Sequence, residues 1–178
     1  MPKHVVLLRG INLASRNRIS MPELRGALEA AGFGDVATYV QSGNVVVSST
    51  SPAPAVGRKV NGLIKKRFGL DIAVIVRSHD ELANVVKRNP LAKVAVDPKR
   101  HLVTFMSDDL PEAVVERMRG AAGPEERFEV IGREVYSWHP AGVGRSPLWE
   151  RIASKGLGVE ATTRNWSTVT VLLAMSAR

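Results

Sequence analysis

The chain has 178 residues, no cysteine and a formal net charge of +8. The missing cysteines exclude disulfides, thiolate chemistry and cysteine zinc sites, and no apolar run approaches the ~20 residues a spanning helix needs. Hydrophobic residues make up 44% and aromatics 5%, so the expected core is Val, Leu, Ile and Ala. The opening Met1-Pro2-Lys3-His4 is too brief for a secretory signal peptide, and a cytoplasmic location is expected.

Val5-Val6-Leu7-Leu8 reads as a buried strand, followed by a basic loop from Arg9 to Arg18. Ser20-Met21-Pro22-Glu23 has the form of a capping box, with Leu24, Ala27, Leu28 and Ala31 on one helical face and Gly32 as its stop. Two β-rich runs, Val36–Val40 and Val45–Ser49, flank Ser42-Gly43 as a hairpin. Ser51-Pro52 opens a second helix with Val56, Val60, Leu63, Ile64 and Phe68 inward, ending at Gly69. Ile72, Val74 and Val76 alternate as a strand, and Ser78-His79-Asp80-Glu81 is another capping box before a short helix.

The same order returns in the second half. Leu102–Met106 is a strand. Asp108 or Asp109 is expected to cap the helix of Val114, Val115 and Met118. Phe128–Ile131 and Val135–Trp138 form a hairpin around Gly132-Arg133. Ser146-Pro147 opens a helix that Gly156 closes. Glu160–Thr163 reads as a last short strand, and Asn165–Ala177 as a helix. The expected fold class is therefore α+β, a tandem duplication of a ferredoxin-like β-α-β-β-α-β unit, each followed by an extra helix. Residues 1–90 form a basic half, 91–98 a linker and 99–178 a near-neutral half.

The charge follows that division. Residues 1–89 hold 13 Lys or Arg against 6 Asp or Glu, while residues 90–178 hold 12 against 11. Such an asymmetry attracts anionic partners, although a charge kept for solubility reads the same way.

Four stretches together carry a family resemblance. They are Leu7-Leu8-Arg9-Gly10-Ile11-Asn12, Tyr39-Val40-Gln41-Ser42-Gly43-Asn44-Val45, Glu134-Val135-Tyr136 and Thr162-Thr163-Arg164-Asn165-Trp166-Ser167-Thr168-Val169. The chain resembles, from about Lys3 to Met175, the bacterial family catalogued as domain of unknown function 1697. The resemblance implies a duplicated α+β arrangement and brings no activity, cofactor or catalytic residue with it. It also shows two departures. Ala14-Ser15 stand where family members often have a Gly pair, and Ser146-Pro147 where they often have Ser-Lys.

Familiar catalytic and cofactor patterns are missing. His4, His79, His101 and His139 are scattered without metal-ligand spacing, so no metal site is expected, and His101 reads as a satisfied, half-buried strand residue. Gly142-Val143-Gly144-Arg145-Ser146 lacks the dinucleotide fingerprint, because Pro147 stands at the third glycine position. Ser42-Gly43-Asn44 has no Ser-x-x-Lys or Lys-Thr-Gly to accompany it. No cofactor is expected.

The candidate ligand-binding residues are Arg9, Asn12, Arg16 and Arg18 beyond the first strand, Gln41, Ser42 and Asn44 at the hairpin, and Arg164 and Asn165 near the end. Turn chemistry also explains the hairpin residues, and a helix cap explains Asn165. Three arginines in one loop favour an anion. The leading expectation is an anion-binding protein, for nucleic acid or another polyanion, using the basic first half. The alternatives are a small-molecule enzyme or sensor for a phosphorylated or carboxylated ligand, and an interaction module that dimerises through a sheet edge.

Overall fold

The computed structural model describes residues 1–13, 16–153 and 155–177. The first half runs β1 (Lys3–Leu8), α1 (Met21–Ala30), β2 (Gly34–Tyr39), β3 (Asn44–Ser48), α2 (Ala53–Phe68), β4 (Val74–Ser78) and α3 (His79–Lys87). The second runs β5 (His101–Met106), α4 (Glu112–Ala121), β6 (Arg127–Ile131), β7 (Glu134–Trp138), α5 (Pro147–Ala153), a 3₁₀ turn (Lys155–Leu157), β8 (Ala161–Asn165) and α6 (Trp166–Ser176). The sheets have the orders β2-β3-β1-β4 and β6-β7-β5-β8, and every neighbouring pair is antiparallel. The fold is α+β, with tandem duplicated ferredoxin-like units, as expected.

The register makes the duplication explicit. Val5 pairs with Val46 on one side and Arg77 on the other. Val103 pairs with Tyr136 and Arg164 in the same way. The Leu8 N–H donates to the Gly43 carbonyl at 2.9 Å, and the Met106 N–H to the Arg133 carbonyl at 2.9 Å. Residues can thus be matched between the halves position by position.

The chain forms two compact units, residues 1–84 with 171–178, and residues 85–170. The end of α6 belongs to the first unit, where Ser176 Oγ meets His79 Nδ1 at 2.8 Å. Counted on this division, the first unit holds 12 Lys or Arg against 6 Asp or Glu, and the second 13 against 11. The basic excess stays with the first unit.

Each sheet packs one face against its own helices. In the first unit Val6, Leu8, Val45 and Val47 meet Leu24 and Leu28 of α1 and Val56, Val60 and Ile64 of α2. In the second, Met106 and Val135 meet Val114 and Met118 of α4 and Leu148 and Ile152 of α5. Each such side chain contributes ~1.5–3 kcal/mol on burial.

Local signals set most helix starts. Ser20 accepts from the Glu23 N–H at 3.3 Å. Ser78 and Glu81 cap each other's backbone, at 3.1 and 2.8 Å. Ser146 Oγ accepts from the Trp149 N–H at 3.0 Å, with Pro147 in the first turn. The start of α4 is a correction. Neither Asp108 nor Asp109 caps it; the N-cap is Pro111, in extended conformation and with no side-chain cap. Its fixed φ suits the residue leading into a helix, so the start moves past both aspartates. The helix α5 also ends at Ala153, ahead of Gly156, which lies inside the 3₁₀ turn.

Candidate functional site

At the end of β1 the chain enters a 12-residue loop, residues 9–20, before α1. Three of the loop's described residues take left-handed backbone: Gly10 at φ +66°, Asn12 at +54° and Asn17 at +49°. Asparagine tolerates this region better than most residues because its short side chain bonds locally. The Asn12 N–H donates to the Asn17 carbonyl at 3.0 Å, the Arg16 N–H to the Leu13 carbonyl at 2.8 Å, and Asn17 Nδ2 to the Gly10 carbonyl at 2.9 Å. The arms of the loop are pinned by these bonds. The Ala14-Ser15 departure from the family pattern lies outside the described residues.

Asn12 then fastens the loop to the hairpin. Its Oδ1 accepts from the Ile19 N–H at 2.8 Å, and its Nδ2 donates to the Ile19 carbonyl at 3.1 Å and the Gln41 carbonyl at 2.8 Å. On the other side, buried Asn44 donates from Nδ2 to the Tyr39 carbonyl at 3.2 Å and to Ser42 Oγ at 3.1 Å. Gly43, at φ +83°, lies against β1. Val40 is held at φ +50°, a rare place for a β-branched side chain.

Seven sequence-predicted residues, Arg9, Asn12, Arg16, Arg18, Gln41, Ser42 and Asn44, therefore lie in two segments that meet at one end of the first sheet. Arg9 is half-buried there, and its N–H donates to the Ala73 carbonyl at 3.0 Å. Arg16 and Arg18 are exposed and have no ion-pair partner among the described residues. Arg164 and Asn165 belong to the second unit and serve its own backbone. Arg164 lies within β8, donating to Thr162 Oγ1 at 2.7 Å and the Thr163 carbonyl at 2.9 Å, and burial pushes its guanidinium down to about 10. Asn165 Oδ1 accepts from the Thr168 N–H at 2.9 Å and caps α6.

The second unit gives the reference against which this place stands out. Between β5 and α4 it needs 5 residues where the first unit uses 12. Its β6–β7 turn needs 2 residues where the first unit's β2–β3 turn uses 4. Both additions fall at the same end of the first sheet, and Asn12 joins them.

The second unit buries two histidines, His139 and His101. Fully buried His139 meets Glu126 Oε2 through Nδ1 at 2.6 Å and Ser137 Oγ through Nε2 at 2.9 Å. Ser146 Oγ donates to the same Glu126 oxygen at 2.6 Å, and the Gly123 N–H donates to the other at 2.9 Å. Burial pushes the Glu126 carboxyl up. The bonds from Ser146, Gly123 and His139 outweigh burial and hold it below the ordinary carboxylate range. The Ser–His–Glu order is that of a proton relay, but Ser137 is fully buried, so the network locks the β6–β7 hairpin to the start of α5. Its signal was in the register: Arg127 pairs with Trp138, so continuing the hairpin by one step sets Glu126 across from His139.

His101 is the second. It is buried, not half-buried, and stacks on Trp166 with ring centroids 4.5 Å apart. Its Nε2 has no hydrogen-bond partner among the described residues, which corrects the expectation of a satisfied histidine. Burial lowers its imidazole to about 4. Among the described residues, no group of three or more His, Cys, Asp or Glu is placed to hold a metal ion, and no helix is long and apolar enough to cross a membrane.

A family model described as a protein of unknown function, DUF1697, matches residues 1–136. The chain is similar in fold to the conserved bacterial protein SP0830 from Streptococcus pneumoniae. The two share 21% identity over 99% of each chain, with a TM-score of 0.77. No curated protein matches the chain.

Proposed function

The chain belongs to the DUF1697 family of proteins of unknown function, and from that starting point we propose that it binds a polyanion, nucleic acid being the natural case, at the joined loop and hairpin of its first unit. One observation carries the reading: the first unit departs from the plan of the second at this place, with a loop of 12 residues against 5 and a turn of 4 against 2. Chain added to a repeated scaffold is where binding residues concentrate. The added chain is basic, with Arg9, Arg16 and Arg18, in a unit whose Lys and Arg outnumber Asp and Glu by 12 to 6.

The distribution of side-chain bonds favours an open surface over a small-molecule pocket. Asn12 and Asn44 spend their amides on backbone carbonyls and Ser42, so they support the site. Arg16 and Arg18 point the chemistry outward, as phosphate contacts require. The reading implies a cytoplasmic setting, where nucleic acids are within reach.

Fluorescence anisotropy with a labelled oligonucleotide at 50 and 200 mM salt tests it. Affinity should fall steeply with salt, and Arg16→Gln with Arg18→Gln should flatten the log–log slope by roughly 1 per arginine. Absence of binding at low salt would sink the proposal.

A further inference from the structure

We infer that the ligand of this site is single-stranded nucleic acid, its phosphates meeting Arg16 and Arg18 and its unstacked bases lying on Leu13 and Val40. The inference rests on the anion-binding reading above and adds the ligand's second chemical feature, an apolar face beside the charge.

Leu13 and Val40 are 59% and 54% exposed. Apart from Met1 at the chain start, they are the large exposed hydrophobics of the first unit among its described residues. Both lie in the added chain, one in the loop and one in the turn. Each is the chain neighbour of a residue in the Asn12–Gln41 bond of 2.8 Å, so the segments that carry them are tied together. Leu13 also bridges to Arg16, whose N–H donates to its carbonyl at 2.8 Å. An aliphatic side chain and a guanidinium with no ion-pair partner among the described residues therefore stand on facing arms of one pinned loop.

Val40 supplies the independent observation. A β-branched residue at φ +50° is held in strained backbone, and such strain clusters at binding sites. Asn or Gly would fit the same backbone without that strain. Val40 is exposed and is not among the residues of the first core. Covering it with an apolar surface does bring a gain.

The ligand must then alternate anion and apolar face at close spacing. Inorganic polyphosphate has the charge and no apolar face. A duplex has both, but its base faces are stacked inside. A single strand exposes base faces beside every phosphate, and contacts to these faces tolerate any sequence.

The test uses the full chain and three probes: a fluorescent single-stranded oligothymidylate, a duplex of equal length, and inorganic polyphosphate as competitor. The variant pair Leu13→Ser with Val40→Asn is compared with Arg16→Gln with Arg18→Gln. Asn suits the left-handed backbone at position 40, so a thermal melt should show the first pair still folded. Expected is a loss of about tenfold for the single strand in the Leu13/Val40 pair, from apolar contact removed, with polyphosphate competition and salt slope unchanged, while the arginine pair weakens both. Unchanged single-strand affinity in the Leu13/Val40 pair overturns the inference, as does an equal loss for polyphosphate or tighter binding of the duplex by the unsubstituted protein. If the unsubstituted protein binds none of the three probes, the anion-binding reading itself falls.

Discussion

Gly43 approaches Leu8 so closely that a Cβ on it would stand 2.8 Å from the Leu8 Cβ and 2.9 Å from the Leu8 carbonyl oxygen. The hairpin carrying Gln41 and Ser42 is seated directly on the end of β1, and the loop that follows β1 grows from that contact. Gly132, in the turn of the second sheet, provides a control. It also has positive φ, +58°, but among the described residues an added Cβ there meets only the end of the Arg88 side chain, at 3.9 Å.

Gly132→Ala is therefore expected to cost about 1 kcal/mol, the conformational penalty alone. Gly43→Ala adds a backbone clash that cannot relax without parting the hairpin from β1, and should cost at least about 3 kcal/mol. Urea melts of the two variants check the difference. Equal costs would mean that the contact with Leu8 is soft.

Asn12→Ala removes three side-chain hydrogen bonds and leaves the Ile19 N–H without its Asn12 acceptor. At ~0.5–1.5 kcal/mol per bond, the loop should loosen by about 2–4 kcal/mol. The loosening is local, because Val6, Leu8, Leu24 and the rest of the first core are untouched. Amide hydrogen exchange reads it directly: Ile19 should lose protection while Val6 and Val46 keep theirs. If protection is lost evenly across the sheet, the loop is part of the global fold and not a separate platform.

The legible parts of this molecule are those written locally. Ser20 with Glu23, and Ser78 with Glu81, mark helix starts within four residues of sequence, and the paired glycines mark both hairpins. The fold followed because strand runs, helical runs and a glycine-centred hairpin return in the same order in the second half. The start of α4 failed because two kinds of signal competed there. Asp108 and Asp109 offered side-chain caps, and Pro111 fixed the backbone. The meeting of loop and hairpin rests on an amide and a carbonyl 29 residues apart, and no periodicity encodes such a bond. Arg9, Asn12 and Gln41 could be singled out as polar residues. Which of them hold the site and which face outward was set by tertiary bonding.

His101 gives the protein an acid-side sensitivity. Its imidazole titrates near 4 in the folded chain against an ordinary value of 6.5. Between these values the unfolded chain binds a proton that the folded chain refuses, so stability rises with pH and is lost on acidification from about 6.5 toward 4. The full effect is up to about 3 kcal/mol. His101→Phe keeps a ring against Trp166 and removes the titration. Denaturant melts at pH 7 and pH 4.5 should show a smaller pH dependence in the variant. The same slope in both proteins would place the acid sensitivity elsewhere.

The cost of the Glu126 cluster can be apportioned by a double-variant cycle. The carboxylate is an acceptor for His139, Ser146 and the Gly123 N–H at once. Glu126→Gln turns one acceptor oxygen into a donor facing groups that also donate, and should cost about 2–4 kcal/mol. Ser146→Ala loses its bond to Glu126 together with the cap on the Trp149 N–H, about 1–2 kcal/mol for the cap alone. The two residues share one hydrogen bond, so the double variant should be less destabilised than the two single costs added together, by about 1 kcal/mol or more. Strict additivity in that cycle would show that Ser146 acts only as the cap of α5. A double variant less destabilised than the sum would show that the cap and the buried carboxylate hold the β6–β7 hairpin as one unit.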